Sequence, residues 1–359
     1  MHRYLESLRA QHPEKFAPER EIFNAIRRGS SIFIGSSCAE PQYLLKSLVS
    51  HVENSSAEIF GAEMIHVWTL GVAPYADKRY EHNFRHKSFF ISDSSRSTIR
   101  SGLGDYTPVF LSEVPGLFQR GVITIDVALI QVSLPYTENW VSLGVSVDIV
   151  KTAVENARLV IAQVNSRVPC VYGDSMIHVD RLDYIVPHDE ELLTYDPGES
   201  DEIAGRIGGY IARIVQDGDT IQVGYGSMPN AILSSLREKR DLGVHTELLT
   251  DGVIDLMKRG VVTNAKKQND RGRTVAAFCM GSKETYDFLH ENPAFAFMPI
   301  DYTNNPFVIA SQRNMTAINT ALQIDLTGQS SAESIGFLNY SGVGGQADFM
   351  RGAALSPHG

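Results

Sequence analysis

The sequence has no excess of basic residues: 32 Lys and Arg stand against 42 Asp and Glu, which gives a formal net charge of −10 over 359 residues. Binding to a phosphate backbone needs a basic surface, so this balance argues against a nucleic-acid partner. The sequence also lacks the run of roughly 20 apolar residues that spans a membrane. Its start, MHRYLESLRAQHPEKF, lacks the apolar segment of a signal peptide. We therefore expect a soluble, cytoplasmic protein without a membrane partner.

Cysteine is scarce as well. Cys38, Cys170 and Cys279 are odd in number, far apart and set in apolar runs, so no disulfide framework follows. A packing role is favoured for each, and a reactive thiol stays open as the alternative. The eleven histidines form no HExxH pattern and pair with no CxxC. We therefore predict no metal site.

Apolar runs of strand length alternate with amphipathic runs of helical length. Residues 30–35 and 158–165 are typical of buried strands, and 122–134 of one or two more. Residues 41–53 and 146–157 are typical of helices. This alternation predicts an α/β protein with a mainly parallel sheet that is covered on both faces.

A weak internal echo suggests two tandem domains. Residues 28–48, RGSSIFIGSSCAEPQYLLKSL, resemble residues 217–236, DGDTIQVGYGSMPNAILSSL. Each has a polar turn, a short apolar strand, a Gly/Ser loop, a proline and an amphipathic helix. Similar α/β domains in tandem would produce this pattern, and chance similarity of two strand–turn–helix units is the alternative. We place the boundary near 195–202, between domains 1–195 and 200–359.

The loop VGYGSMPNAIL, residues 223–233, is the first candidate binding site. Gly224 and Gly226 allow a ligand close to the backbone, and Pro229 suits the first turn of a helix, with Ser227 or Met228 near its cap. The free N–H groups at that turn favour an anion. The loop is neither a P-loop nor a dinucleotide fingerprint, since no GK[ST] follows and GxGxxG fails at Asn230. A plain turn is the alternative.

The next candidate is Glu247, in GVHTELLTDGV. The run is typical of a buried strand in which His245, Glu247 and Leu249 face one way. A carboxylate there is either paired and inert or takes part in chemistry. Because successive strand ends lie side by side at the carboxyl edge of a parallel sheet, Glu247 and the Gly224–Asn230 loop are expected to meet. The helix that follows is predicted to have Asp251 as its cap.

The third candidate is the turn in YSGVGGQADFMRGA, residues 340–353. Its glycines, Gly342, Gly344 and Gly345, would supply free N–H groups to an oxyanion or a thioester carbonyl. Each glycine loop by itself can be structural. Two such loops together with a lone glutamate favour a catalytic site.

These segments resemble one known family. GYGSMPNA, GVHTELLTDGV, ALQIDLTGQSSAESIG and YSGVGGQADFMRGA are similar to motifs of the acetyl-CoA hydrolase/transferase family, and the similarity is greatest to its 4-hydroxybutyrate coenzyme A transferase branch. In the first half, SLGVSVDIVKTAVENARLVIAQVN and YGDSMIHVDRLDYIVP resemble the same family. The resemblance covers residues 30 to 359.

The resemblance implies two similar α/β domains with the active site in the cleft between them. It implies that Glu247 is the nucleophile and that the glycines of GVGGQ stabilise a carbonyl oxygen. It also implies a coenzyme A site, beside which it places Gly224, Gly226, Met228, Pro229, Asn230 and Asn304.

The implied reaction is ping-pong transfer of coenzyme A from an acyl-CoA, such as acetyl-, butyryl- or succinyl-CoA, to a small acid such as 4-hydroxybutyrate, through a glutamyl-CoA thioester and without a metal. The expected assembly is a homodimer. An acyl-CoA hydrolase, an itaconate-type transferase and a non-catalytic binding protein are the alternatives.

Two further expectations concern the ends of coenzyme A and of the chain. Lys266 and Lys267, in the basic stretch 264–274, could contact the nucleotide phosphates, and a solvated turn is the alternative. Family members usually continue past AALSPHG, so we expect the last part of the second domain to be incomplete.

Overall fold

The structure is a computed structural model that describes residues 2–54, 59–71, 73–137 and 139–359. The helices of its first half are α1 His2–Gln11, α2 Glu19–Asn24, α3 Gln42–Asn54, α4 Asp93–Arg100, α5 Val114–Gln119 and α6 Val150–Asn156. The strands of that half are β1 Ser31–Ile34, β2 Ala62–His66, β3 Phe84–Ser88, β4 Gly104–Tyr106, β5 Ile125–Val132, β6 Trp140–Ser142, β7 Ala157–Val164, β8 Met176–His178 and β9 Tyr184–Pro187.

Seven of these strands form one parallel sheet in the order β4-β3-β2-β1-β5-β7-β9. β6 and β8 make a separate antiparallel pair. The central strand β5 is buried on both faces, which explains why its sequence is apolar almost without alternation. Leu129 pairs with Ile34 on one side and with Ile161 on the other, without interruption of the ladder.

The second half has smaller elements. Its helices are α7 Glu202–Ile214, α8 Ser227–Ser235, α9 Asp251–Lys258, α10 Lys283–Leu289, α11 Ile300–Thr303, α12 Pro306–Ala310 and α13 Gln346–Leu355. Its strands are β10 Thr220–Val223, β11 Gly243–Val244, β12 Leu248–Leu249, β13 Thr274–Ala276, β14 Phe278–Cys279, β15 Phe295–Phe297, β16 Met315–Ile318, β17 Gln323–Ile324, β18 Ser330–Ser331, β19 Ser334–Ile335 and β20 Leu338–Asn339.

The second sheet is parallel but broken into pieces. β10 lies between β11 and β16, β12 pairs with β14, and β13 pairs with β15. A single bridge between His245 and Val275 connects the pieces. β11 and β12 are therefore two parts of one interrupted strand, as are β13 and β14. The last four strands form two small antiparallel hairpins.

The two halves share a core and a backbone seam. One buried hydrophobic cluster contains residues from both, including Phe33 and Leu143 from the first and Val244 and Phe278 from the second. Across the seam, the Val147 amide donates to the Ala277 carbonyl over 3.0 Å, and the Cys279 amide donates to the Val145 carbonyl over 2.8 Å.

The expected α/β class with mainly parallel sheets is confirmed. Both echoed segments form strand–loop–helix units, β1 to α3 and β10 to α8. The expected boundary falls in residues 188–201, which contain no helix or strand. The division into domains 1–195 and 200–359 stays a prediction.

Two local expectations need correction. The helix expected over 146–157 begins only at Val150, because the Asp148 carboxylate accepts hydrogen bonds from the Ser146 hydroxyl and the Val150 amide and holds the preceding residues in a turn. Asp251 is not a cap: α9 is preceded by Thr250, and the Asp251 carboxylate instead accepts from the Ser282 amide and the Thr285 hydroxyl. Among the described residues, no helix has the length and apolarity to cross a bilayer.

Candidate active site

Glu247 lies at the break in the second sheet. Its carbonyl oxygen accepts hydrogen bonds from two successive amides, those of Ala277 at 2.9 Å and Phe278 at 3.1 Å. Two residues that oppose one distort a strand and redirect its side chains, as in a β-bulge. The simple alternation expected from the sequence is therefore wrong: His245 and Leu249 are fully buried, while Glu247 reaches a cavity.

Two contacts hold the Glu247 carboxylate. The Asn304 side-chain amide, which follows α11 and is fully buried, donates to Oε2 of Glu247 over 2.6 Å. Gly345, immediately before α13, lies against the same oxygen, and a Cβ added to it would stand 1.6 Å from Oε2. Any larger residue at this position would displace the carboxylate, because the carboxylate occupies the space of a side chain.

The electrostatic surroundings of Glu247 favour its protonated form. Burial raises the pKa of the Glu247 carboxyl, the hydrogen bond from Asn304 lowers it, and the negative charges of Asp348 and Asp148 raise it; the resulting pKa is about 7. Asp348 is fully buried, and burial raises its own pKa to about 6 although it accepts from the Ser112 amide and hydroxyl. Glu247 thus titrates in the neutral range, where a carboxylate is both available and reactive.

The glycine-rich turn forms one wall beside Glu247. Gly342, Gly344 and Gly345 all line the cavity, and Gly344 has a positive φ of 55°. The amide of Val343 between them already donates to the Tyr106 hydroxyl. The Gly344 and Gly345 amides donate to no other group in the described part of the chain. They are therefore available to a ligand's oxygen.

The cavity has a volume of about 320 Å³ and lies between the two halves. Val67, Trp68, Phe90 and Leu111 line it from the first half. From the second half it is lined by Glu247, the glycine turn and Gly224. Glu247, the Gly224 loop and the glycine turn, which the sequence predicted as one site, are thus brought together.

The rest of the Gly224 loop faces a second cavity of about 200 Å³. Gly226, Pro229 and Asn230 line it, and it shares Gly224 and Tyr225 with the first cavity. Gly226 precedes α8 with a φ of 118°, a value open to glycine, and α8 has no side-chain cap. Met228 differs from its neighbours because it packs against the hydrophobic core.

The structure places the two lysines elsewhere. Neither Lys266 nor Lys267 lines either cavity. The Lys267 ammonium is buried and donates to the carbonyls of Val244 and Arg273, and burial lowers its pKa to about 7. Lys266 forms an ion pair with Asp241 on the surface. Lys267 is committed to the backbone behind β11, which argues against a contact with coenzyme A. A contact between Lys266 and the nucleotide phosphates stays a prediction.

Sequence reasoning missed several residues of the site. Asp348 and Asp148 lie near Glu247 only because α13 and the turn before α6 meet there. Trp68 and Phe90 lie at the ends of first-half strands, where the carboxyl edge of the sheet faces the cleft. The sequence signal for Asp348 was its position in the helix directly after the glycine turn.

No group of three or more His, Cys, Asp or Glu in the described residues is placed to hold a metal ion.

The family model for the acetyl-CoA hydrolase/transferase N-terminal domain matches residues 2–195, and the model for the C-terminal domain of the same family matches residues 281–359.

Among curated relatives, 4-hydroxybutyrate coenzyme A transferase of Clostridium kluyveri is 41% identical and the match covers 97% of this chain and 80% of that protein. A succinyl-CoA:acetate/propanoyl-CoA:succinate CoA transferase of Fasciola hepatica is 40% identical over 94% of this chain and 70% of that protein. The crystal structure of RipA from Yersinia pestis is 33% identical, covers 98% of this chain and 81% of that one, and superposes with a TM-score of 0.90.

Proposed function

The chain belongs to the acetyl-CoA hydrolase/transferase family, and on that premise we propose that it transfers coenzyme A from an acyl-CoA to a small carboxylic acid with Glu247 as the nucleophile. One observation carries the proposal: the Glu247 carboxylate reaches the cavity between the halves, fixed by Asn304 on one side and pressed against Gly345 on the other.

The first half-reaction begins with attack of a Glu247 oxygen on the thioester carbonyl. The carbon–sulfur bond breaks, an acyl-glutamyl anhydride forms and the thiolate of coenzyme A leaves. The thiolate then adds to the glutamyl carbonyl, and the first acid departs as a carboxylate. The products of this half are the free acid and a glutamyl-CoA thioester at Glu247.

The second acid reverses these steps. Its carboxylate attacks the glutamyl thioester and displaces the thiolate, and the thiolate then attacks the acyl carbon of the new anhydride. The new acyl-CoA leaves and Glu247 is restored as a carboxylate. Each step develops negative charge on a carbonyl oxygen, and the uncommitted amides of Gly344 and Gly345 are suited to stabilise it.

The coenzyme A site is proposed along the Gly224 loop. The sulfur must lie near Glu247 in the first cavity, and the second cavity continues from it past Tyr225 towards the start of α8. The unoccupied amides at the N-terminus of α8 suit the polar portion of the cofactor. Gly224, Gly226, Pro229 and Asn230 are the residues proposed to contact it.

Trapping of the covalent intermediate tests the nucleophile. The protein is incubated with acetyl-CoA, treated with hydroxylamine or borohydride, digested and analysed by mass spectrometry. We expect modification of the peptide that carries Glu247 and none in Glu247→Gln. Label on Cys38, Cys170 or Cys279 in place of Glu247 would refute the mechanism.

Hydrolysis is the second candidate, because the family name includes acyl-CoA hydrolases and the nucleophile would be shared. Loss of acyl-CoA is measured with and without an added carboxylate. Transfer requires the acceptor, and equally fast loss without it would assign a hydrolase. Parallel lines in double-reciprocal plots with both substrates varied are the matching kinetic sign of ping-pong transfer.

A homodimer in the cytoplasm remains part of the proposal, with no nucleic-acid or membrane partner. The net charge of −10 supports the absence of a nucleic-acid partner. Light scattering of the purified chain measures the assembly directly, and a monomer at micromolar concentration would refute the dimer.

A further inference from the structure

We propose that the acid handled by this site is a monocarboxylate with an uncharged, largely apolar tail, and that dicarboxylates are poor substrates. The inference rests on the proposed CoA transfer at Glu247. It goes beyond the comparisons, because the relative at 41% identity is named for 4-hydroxybutyrate, whereas the name of the relative at 40% identity includes succinate beside acetate and propanoyl-CoA. These two acids differ in the charge of the far end of a four-carbon chain.

One wall of the cavity is aromatic, and its Phe90 packs directly against Gly342 and Gly344 of the glycine turn. The rings of Trp68 and Phe90 stack with centroids 4.8 Å apart and planes 15° from parallel. The ring of Tyr225 meets Trp68 edge-on, with centroids 4.5 Å apart. Trp68 and Phe90 come from the first half and Tyr225 from the second, so the halves together enclose this surface. Such a surface binds apolar groups. The Trp68 indole N–H and the Tyr225 hydroxyl can donate neutral hydrogen bonds, but the surface offers no counter-charge to an anion.

The described lining of the cavity contains no lysine, arginine or histidine. The one ionisable carboxyl on it is Glu247, whose charge would repel a second anion. Gln222 and Asn319, which also line the cavity, exchange hydrogen bonds of 3.1 and 2.9 Å with each other. Their amides are therefore already partly satisfied and form a neutral polar patch.

Arg96 is the cation that could challenge this inference. It lies behind Tyr340, one of the lining residues, and its Nε donates to the Tyr340 carbonyl over 3.0 Å. Its Nη1 is paired with Asp93 at 2.5 Å, and its guanidinium stacks on the Tyr340 ring. With these three commitments, Arg96 is held behind Tyr340 and is not part of the cavity lining, although its charge acts on the Tyr225 hydroxyl.

The position of the reacting carboxylate fixes where the other end of the acid must go. That carboxylate has to reach Glu247 and the glycine amides, at one side of the cavity. The tail then extends into the same cavity, against Trp68 and Phe90. A distal carboxylate would lose water there without gaining a counter-ion, whereas a methyl or hydroxymethyl end would not.

Acceptors of equal length test the inference. With acetyl-CoA as donor, kcat/KM is measured for butyrate and for succinate by following the new acyl-CoA. We expect butyrate to exceed succinate by roughly 100-fold or more, the usual penalty for an unpaired buried charge. Equal values for the two acids would overturn the inference.

Failure of the proposed CoA transfer at Glu247 can be told apart from failure of the inference about the acid's tail. If no acid is converted and Glu247 stays unmodified, CoA transfer itself is wrong. If acids are converted with label on Glu247 and succinate is preferred, transfer stands and the inference about the tail fails.

Variants at the wall sharpen the test. Trp68→Ala is expected to lower kcat/KM for butyrate about tenfold more than for acetate, because only the longer tail reaches the ring. Trp68→Phe keeps an aromatic surface and is expected to stay within about threefold of the parent protein. A thermal melt of each variant separates loss of fold from loss of recognition. Equal losses for both acids in a folded Trp68→Ala protein would overturn the inference.

Arg96→Gln supplies the reciprocal control. The ratio of butyrate to succinate is expected to stay unchanged in this variant, since Arg96 does not line the cavity. A selective loss of succinate use in Arg96→Gln would show that the arginine enters the cavity with a dicarboxylate, and would overturn the inference.

Discussion

The first and second sheets use parallel strands in opposite ways. In the first sheet, β5 runs through eight residues, and it pairs continuously with β7 from Val127 to Val132 and with β1 from Val127 to Leu129. In the second, both central strands are interrupted, and the interruption falls where Glu247 receives two amides from Ala277 and Phe278. The unbroken sheet buries apolar side chains on both faces, and the broken one turns a carboxylate out into a cavity. The continuous strand β5 supports core packing, and the break in the second sheet exposes Glu247 to the cavity.

Each half also carries a buried carboxyl group with a raised pKa beside a strand end. Burial raises the pKa of Glu40 to about 8, although its Oε2 accepts from the Leu70 and Gly71 amides. Burial raises that of Glu247 to about 7. Glu40 lines neither the cavity that holds Glu247 nor the one beside it. A raised pKa therefore does not mark a nucleophile unless the group also faces space for a substrate.

The largest expected effect separates these two carboxyls. Glu247→Gln removes the attacking oxygen and should lower kcat by on the order of 10⁴-fold or more, as loss of a nucleophile does elsewhere. Glu40→Gln preserves shape in a group that is mostly uncharged at neutral pH and should leave kcat within about threefold. Both are measured as CoA transfer from acetyl-CoA. A comparable loss of kcat in the two variants would show that Glu247 has no catalytic role that Glu40 lacks.

Glu247→Gln, which should lower the rate, is expected to leave the stability of the fold unchanged or to raise it. The pKa of Glu247 is raised in the folded state, so the protonated carboxyl adds to the free energy of unfolding at low pH. This stabilisation is lost as the pH rises through about 7. Glu247→Gln removes a group that ionises unfavourably, and the variant should melt at the same or a higher temperature at pH 8. A clearly lower melting temperature would mean that ionised Glu247 stabilises the fold.

The second effect comes from Gly345→Ala. The added Cβ would lie 1.6 Å from Oε2 of Glu247 and 2.3 Å from Nδ2 of Asn304, so the carboxylate must move. A displacement of about 1 Å in a reacting group costs on the order of 10²-fold in rate. Gly209→Ala on α7 is the matched control, because nothing lies within 4 Å of its added Cβ. Full activity in Gly345→Ala would show that the close approach is not needed.

The third prediction compares matched core residues in the two sheets. Leu129 in β5 and Leu249 in β12 are both fully buried. Each change to alanine should cost about 2–5 kcal/mol in the free energy of unfolding. Leu249→Ala should also lower kcat about tenfold, because β12 directly follows Glu247. Leu129→Ala should leave kcat unchanged under conditions where it is folded. Urea unfolding measures the stability of the two variants, and steady-state kinetics measure their kcat. Equal kcat values would show that the interrupted strand does not position Glu247.

The smallest expected effect is on the pH profile. The rate should rise with pH through about 7, since only ionised Glu247 attacks. Asp348→Asn removes a negative charge that raises this pKa, so the acid limb should move to lower pH by roughly half a unit to one unit. Asp287→Asn, at an exposed ion pair with Lys283, should leave the limb in place. A shift to higher pH in Asp348→Asn would give Asp348 a different role.

The sequence predicted the parts of this molecule that depend on local pattern. The apolar runs at 30–35 and 158–165 became β1 and β7, and the Gly224 loop joins a strand to a helix, because burial and turn chemistry act over a few residues. The break at Glu247 was missed, since it depends on amides donated from Ala277 and Phe278 on another strand. The burial of Lys267 could not be read from the basic cluster 264–274, because it depends on the carbonyls of Val244 and Arg273 that accept its ammonium.

The seam between the halves limits how this enzyme can take up its substrates. Ala277 donates its amide to Glu247 and, through its carbonyl, accepts the amides of Val147 and Asp148 from the first half. A hinge-like separation of the halves would pull directly on the segment that positions Glu247, the proposed nucleophile. We therefore expect acyl-CoA to enter a preformed cavity lengthwise, with rearrangement only of side chains at its entrance. The position of Glu247 would then stay unchanged while the substrate binds.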